Sequence, residues 1–80
     1  MSLWVTKEGM DIIVNLDKTD AIVLVGDLIE FGSLLAPTGQ VIPFYWDSEE
    51  DARAAFHNIH NHIYRASWDE RYRGGILILS

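Results

Sequence analysis

The chain has no cysteine. That excludes disulfide staples, zinc ribbons and thiol catalysis together, and it agrees with a reducing, intracellular setting. Basic residues are scarce, six against twelve acids, for a net charge of −6. The deficit is local: residues 1–56 carry ten acids and three bases, residues 57–80 two acids and three bases. An acidic domain repels phosphate backbones, and no basic patch with interleaved aromatics offsets this, so nucleic acid is not an expected partner. No apolar run approaches the roughly 20 residues that span a bilayer. The first residues lack a basic region followed by a long apolar stretch, so neither a membrane segment nor a secretory leader is expected. The expected location is cytoplasmic.

Chemical signatures are missing as well. The glycines sit singly at turns apart from Gly74-Gly75, so no phosphate loop exists. "GSL" at Gly32 is not the G-x-S-x-G elbow of a serine hydrolase. Asp17, Asp20 and Asp27 lack the spacing of a calcium loop. No catalytic set emerges, no cofactor is implied, and the expectation is a non-enzyme. Eighty residues make a single domain over 1–80. A chain this short buries only about 60–65% of the surface it exposes when unfolded, which leaves stability thin. With no disulfide to help, association with a second subunit is the most available supplement.

The first half is written in strands, over about 3–46. "LWVTKEGMDIIVN" holds two β-rich runs around Lys7-Glu8-Gly9, a hairpin turn with glycine supplying the unusual angles. Met10, Ile12 and Val14 share one face of the second run; Asp11, Ile13 and Asn15 share the other. Asn15 to Asp20 reads as a turn anchored by Leu16. "AIVLV", Ala21 to Val25, is apolar throughout, which predicts a strand covered on both faces. Gly26-Asp27 is a tight connection. Leu28 to Leu34 resumes as a strand with Glu30 pointing outward among apolar neighbours. Ala36 to Gln40 is a loop. Pro43 within Val41–Trp46 cannot donate a ladder hydrogen bond, so that strand belongs at an edge or carries a bulge. Of Trp4 and Trp46, at least one should fill the core.

The second half is written in helix, over about 48–66. Asp47 or Ser48 caps it, with Glu50 or Asp51 closing a capping box, and the acids of the first turn suit the positive end of the helix dipole. Ala52, Ala55, Phe56, Ile59, Ile63 and Ala66 form an apolar stripe to lie on the sheet. Ser67 with Glu70 is a second cap signal, and Gly74 a terminator. The helix therefore either kinks near Ser67 or continues to 73. If it continues, Tyr64, Trp68 and Tyr72 line up at i, i+4 and i+8 on a face that the sheet does not cover. Either a bend brings these rings home or a second subunit covers them. The tail Ile76 to Leu79 is uncharged and strand-like, and must pair with an edge of its own sheet or a neighbour's.

"HNIHNH", residues 57–62, holds all three histidines. On a helix His57 and His60 share a side and can reach one metal ion. No carboxylate stands on that face to complete the set, so a solvated helix face is the stronger reading. His60 and His62 flank the apolar stripe, each covering core while keeping one nitrogen wet.

The stretches "DIIVNLDK" and "FYWDSEEDA", with an apolar hairpin between them, resemble small uncharacterised proteins of bacteria and their phages. In those a β-meander precedes a C-terminal helix. The matching region runs from about Trp4 to Ile63, and the resemblance implies a fold without an activity. The expected class is α+β: an antiparallel meander of four to five short strands packed against one C-terminal α-helix. The expected function is an interaction or assembly module that associates with itself as a homodimer, or with another protein. Tyr64, Trp68, Tyr72, Ile76 and Ile78 would carry the contact. The alternative is a metal- or small-ligand-binding protein using His57 and His60.

Overall fold

In the computed structural model, residues 3–19, 21–32, 41–72 and 75–80 are described. They form six strands and one long helix: β1 (Trp4–Lys7), β2 (Ile13–Asn15), β3 (Ala21–Val25), β4 (Leu28–Gly32), β5 (Val41–Tyr45), α1 (Glu49–Trp68) and β6 (Ile76–Leu79). Short 3₁₀ turns stand at Leu16–Lys18 and Glu70–Tyr72. The class is α+β, as the sequence predicts. The expected loop over Ala36–Gln40, the end of the strand toward Leu34, and the Gly74 terminator fall outside the described residues.

The strands divide into two three-stranded sheets, ordered β2-β1-β6 and β3-β4-β5. The second is the antiparallel meander. In the first, β1 pairs antiparallel with β2 and parallel with β6, Trp4 opposite Ile76 and Lys7 opposite Leu79. The tail therefore completes the protein's own sheet. Gly9 and Gly26 lie at φ +84° and +59°, a region that side chains disfavour, and each closes the connection where its sequence places it. Leu16 is buried as the anchor of its turn, and the Asn15 side chain accepts from the Asp17 N–H. Pro43 lies on β5, an edge strand opposite Glu30, where its missing N–H leaves the ladder intact.

Inward-facing residues of both sheets meet α1 in one core built on Val5, Val14, Ile29, Phe31, Phe44 and Ile59. The Phe31 and Phe44 rings meet edge-on at 4.9 Å. Trp46 is the tryptophan that fills the core. Its Nε1–H donates to the Ser80 carbonyl at 3.0 Å, so the indole is buried without an orphaned donor. Ser48 caps α1, its Oγ accepting from the Asp51 N–H at 3.1 Å, with Glu49, Glu50 and Asp51 in the first turn.

Two expectations change. β3 is covered on one side only: Ile22 and Leu24 face the core, while Val23 and Val25 are about half exposed. An unbroken apolar run reads the same whether both faces are covered or one lacks a partner. The helix takes the first of its two expected courses, breaking near Ser67 and ending at Trp68, but Ser67 does not make the expected cap. Its hydroxyl donates back to the Tyr64 carbonyl inside the helix. Asp69 does the capping: its N–H bonds the Arg65 carbonyl, and its carboxylate accepts from the Arg71 N–H at 3.1 Å, starting the 3₁₀ turn.

Candidate functional site

Because side chains alternate along a strand, each sheet has an outer face set by its register. On the β2-β1-β6 sheet that face carries Trp4 and Thr6 from β1, Ile13 and Asn15 from β2, and Ile76 and Ile78 from β6. Ile13 and Ile78 are each 60% exposed and Ile76 52%. None of these six side chains is charged. Two of the residues predicted at an interface, Ile76 and Ile78, thus stand together with Trp4 and Ile13 on one apolar surface. Trp4 and Ile13 were missed as members of it. The alternation of β2 already turns Ile13 away from Val14, but the face is complete only once the tail is known to lie beside β1.

Tyr64 and Trp68 project from the last turns of α1, each 63% exposed. Tyr72 does not join them. The break after Trp68 swings it back, and its hydroxyl lies 2.7 Å from His62 Nδ1, with the two rings edge-on at 5.1 Å. Arg65 stacks its guanidinium over the Tyr72 ring at 4.5 Å and reaches Asp69 at 3.7 Å. The bend therefore brings one of the three aromatic rings home and leaves two outside.

His62 corrects the reading of the histidine cluster. It is buried, 3% exposed, with Nε2 out of solvent's reach and Nδ1 facing the Tyr72 hydroxyl. Buried positions on α1 recur as Ala52, Ala55, Ile59, His62 and Ala66, steps of three and four that put residue 62 on the stripe and Ile63 beside it. Burial lowers the His62 pKa below its ordinary 6.5, opposed in part by the backbone of Trp4. Nε2 has no hydrogen-bond partner among the described residues.

This His62–Tyr72 pair mounts the tail. Gly75 N–H donates to the Tyr72 carbonyl at 3.2 Å, and the Gly75 carbonyl accepts from the Trp4 N–H at 3.1 Å. A Cβ at Gly75 would stand 3.1 Å from that Tyr72 carbonyl and 3.7 Å from the His62 ring. Glycine therefore lets the chain pass tightly under the pair and enter β6 in register. The clasp stands where the chain enters β6, whose register with β1 puts Ile76 and Ile78 on the outer face.

His57 and His60 are exposed on α1. Among the described residues, no three His, Asp or Glu side chains converge on a point where a metal could sit. His60 stands at the rim of an open groove of about 420 Å³ between α1 and β3, floored by Leu16, Ile22, Phe56 and Ile59; His57 does not line it. The other polar groups there bond the protein's own backbone: the Asp17 carboxylate accepts from the Leu3 N–H at 3.3 Å, and the Thr19 hydroxyl donates to the Asn15 carbonyl at 3.0 Å. His60 and the second oxygen of Asp17 remain as the groove's free polar groups, few for fixing a ligand's orientation. Among the described residues no helix is long and apolar enough to cross a membrane. No family model, no curated protein and no solved structure matches the chain.

Proposed function

We propose that the protein is a non-catalytic assembly module that pairs with a second copy of itself through the outer face of the β2-β1-β6 sheet. One observation carries the reading: Trp4, Ile13, Ile76 and Ile78 form an exposed apolar surface with no charged side chain on it. In a two-fold pair each surface meets its own copy. An uncharged patch does so without like charges meeting, even on a chain of net charge −6. Covering half-exposed isoleucines is worth about 1 kcal/mol each, counted on both copies. Trp4 adds a large ring to that surface, and a stable interface needs roughly 1,200 Å² in all. Large aromatic rings of this kind are favoured at such contacts.

Light scattering of the intact protein tests this. The expected mass is twice 9.1 kDa, falling to a single chain for Ile78→Asp with circular dichroism unchanged. A parent protein that stays monomeric at high micromolar concentration sinks the reading.

A further inference from the structure

The β3-β4-β5 sheet also has an outer face, and its chemistry differs at one position. Its register sets three rows side by side: Val25, Leu28 and Tyr45; Val23, Glu30 and Pro43; Ala21, Gly32 and Val41. Glu30 is the centre of this grid. Strands spaced about 4.8 Å apart put Val23 and Pro43 directly beside Glu30, and the other residues of the grid stand about 7–8 Å away around it. Val23, Val25, Val41 and Tyr45 are each about half exposed. Glu30 is partly buried, and no cation pairs with it among the described residues.

That single carboxylate decides what can cover the face. A second copy docked about a two-fold axis would bring Glu30 against Glu30 at the centre of an apolar contact, desolvating two like charges together. The net charge of −6 on each chain opposes the same encounter. An apolar partner without charge would bury Glu30 alone, which is costly in the same way. A partner with one cation aimed at Glu30 and apolar groups around it satisfies both requirements, and the pair fixes register and orientation. We propose that the outer face of β3-β4-β5 docks a polypeptide segment of another protein that presents a single Lys or Arg framed by apolar side chains. This surface lies on a different sheet from the self-association face and does not depend on it.

The test pans random peptides displayed on phage against the parent protein and, in parallel, against Glu30→Lys. Peptides enriched on the parent should carry one Lys or Arg flanked by apolar residues. Peptides enriched on Glu30→Lys should carry Asp or Glu in the same frame. Synthetic versions of the parent's peptides should shift the amide resonances of Val23, Val25 and Tyr45. They should bind Glu30→Gln about tenfold more weakly, and bind the parent more weakly as salt rises. Glu30→Gln keeps the side-chain shape, and unshifted core amides of Ile29 and Phe31 certify its fold. Four results would overturn the proposal: peptides without a cation, equal binding to Glu30→Gln, a footprint elsewhere, or no enrichment at all. The last would mean that Glu30 only keeps an apolar face in solution. Resonances of Val23 and Val25 that move on dilution of the parent alone would assign the face to a second copy, and overturn it as well.

Discussion

The two outer sheet faces make a natural contrast. Both are three strands wide, both leave β-branched side chains about half exposed, and neither is covered by α1. They differ by one charge. The β2-β1-β6 face presents Trp4, Ile13, Ile76 and Ile78 with only Thr6 and Asn15 for polarity, and can meet its own copy. The β3-β4-β5 face holds Glu30 at its centre, and its own copy is the partner it suits least. Side-chain exposure is similar on both faces and so does not choose between partners; the charge within them does.

The largest expected effect comes from placing a charge where the first face has none. Ile78→Asp should abolish pairing, because each copy would bury an unpaired carboxylate in addition to losing apolar contact, a loss of several kcal/mol per pair. The matching change on the other sheet, Val25→Asp, should leave the mass unchanged and cost about 1 kcal/mol or less of stability, as expected on an edge strand. Analytical ultracentrifugation of the two variants gives the comparison directly. If Val25→Asp dissociates the pair and Ile78→Asp does not, the faces have been assigned the wrong way round.

Next in size is the clasp, which serves one sheet and not the other. Tyr72→Phe leaves His62 Nδ1 buried without its partner, at a cost of about 1–3 kcal/mol. The loss should be local. Hydrogen exchange of the β6 and β1 amides should quicken, while β3, β4 and β5 keep their protection. Uniform acceleration across both sheets would show that the tail is not separately mounted.

The contrast between faces was only half legible in the chain. The hairpin turn at Gly9, the Leu16 anchor, the Ser48 cap and the outward set of Glu30 follow from local rules of residue type and spacing, and the structure has them where those rules put them. Local rules do not say which strand lies beside which. "AIVLV" suits a central strand covered on both faces equally well as the edge strand it forms, and "ILIL" carries no mark of parallel pairing with β1. Tyr72 was misplaced because Ser67 and Asp69 both offer capping chemistry two residues apart, and the side chain of Asp69 won. His62 was the avoidable error. Steps of three and four from Ala52 land on it, but imidazole is polar enough to be read as wet until Tyr72 supplies a partner inside.

A smaller effect is expected from pH, and again on one sheet. The folded chain holds His62 with a pKa lowered from 6.5 by burial. As pH falls, the unfolded chain therefore takes up the proton first. The contribution of neutral His62 is complete above about pH 6.5 and declines as pH drops from there toward the lowered folded value. Asp69, at the end of the same helix, is already engaged by Arg65 and Arg71, and Arg65 stacks on Tyr72. Melting temperature should fall as pH drops below about 6.5 in the parent and stay flatter in His62→Leu. Parallel curves for the two proteins would remove His62 from the account.

The smallest expected effect is that of salt on pairing, and its sign separates the faces. Two chains of net charge −6 repel at long range, while their proposed contact contains no ion pair to be weakened. Raising ionic strength shortens the Debye length from about 10 Å at 0.1 M toward about 3 Å at 1 M. Repulsion is screened and apolar contact persists, so self-association should strengthen by a few-fold. A cationic segment held on Glu30 should respond in the opposite direction, since its attraction is what salt screens. Sedimentation equilibrium across a salt series measures the first, and peptide titration over the same series measures the second. If pairing instead weakens as salt rises, charged groups outside the β2-β1-β6 face hold the two copies together, and the uncharged surface is not the contact.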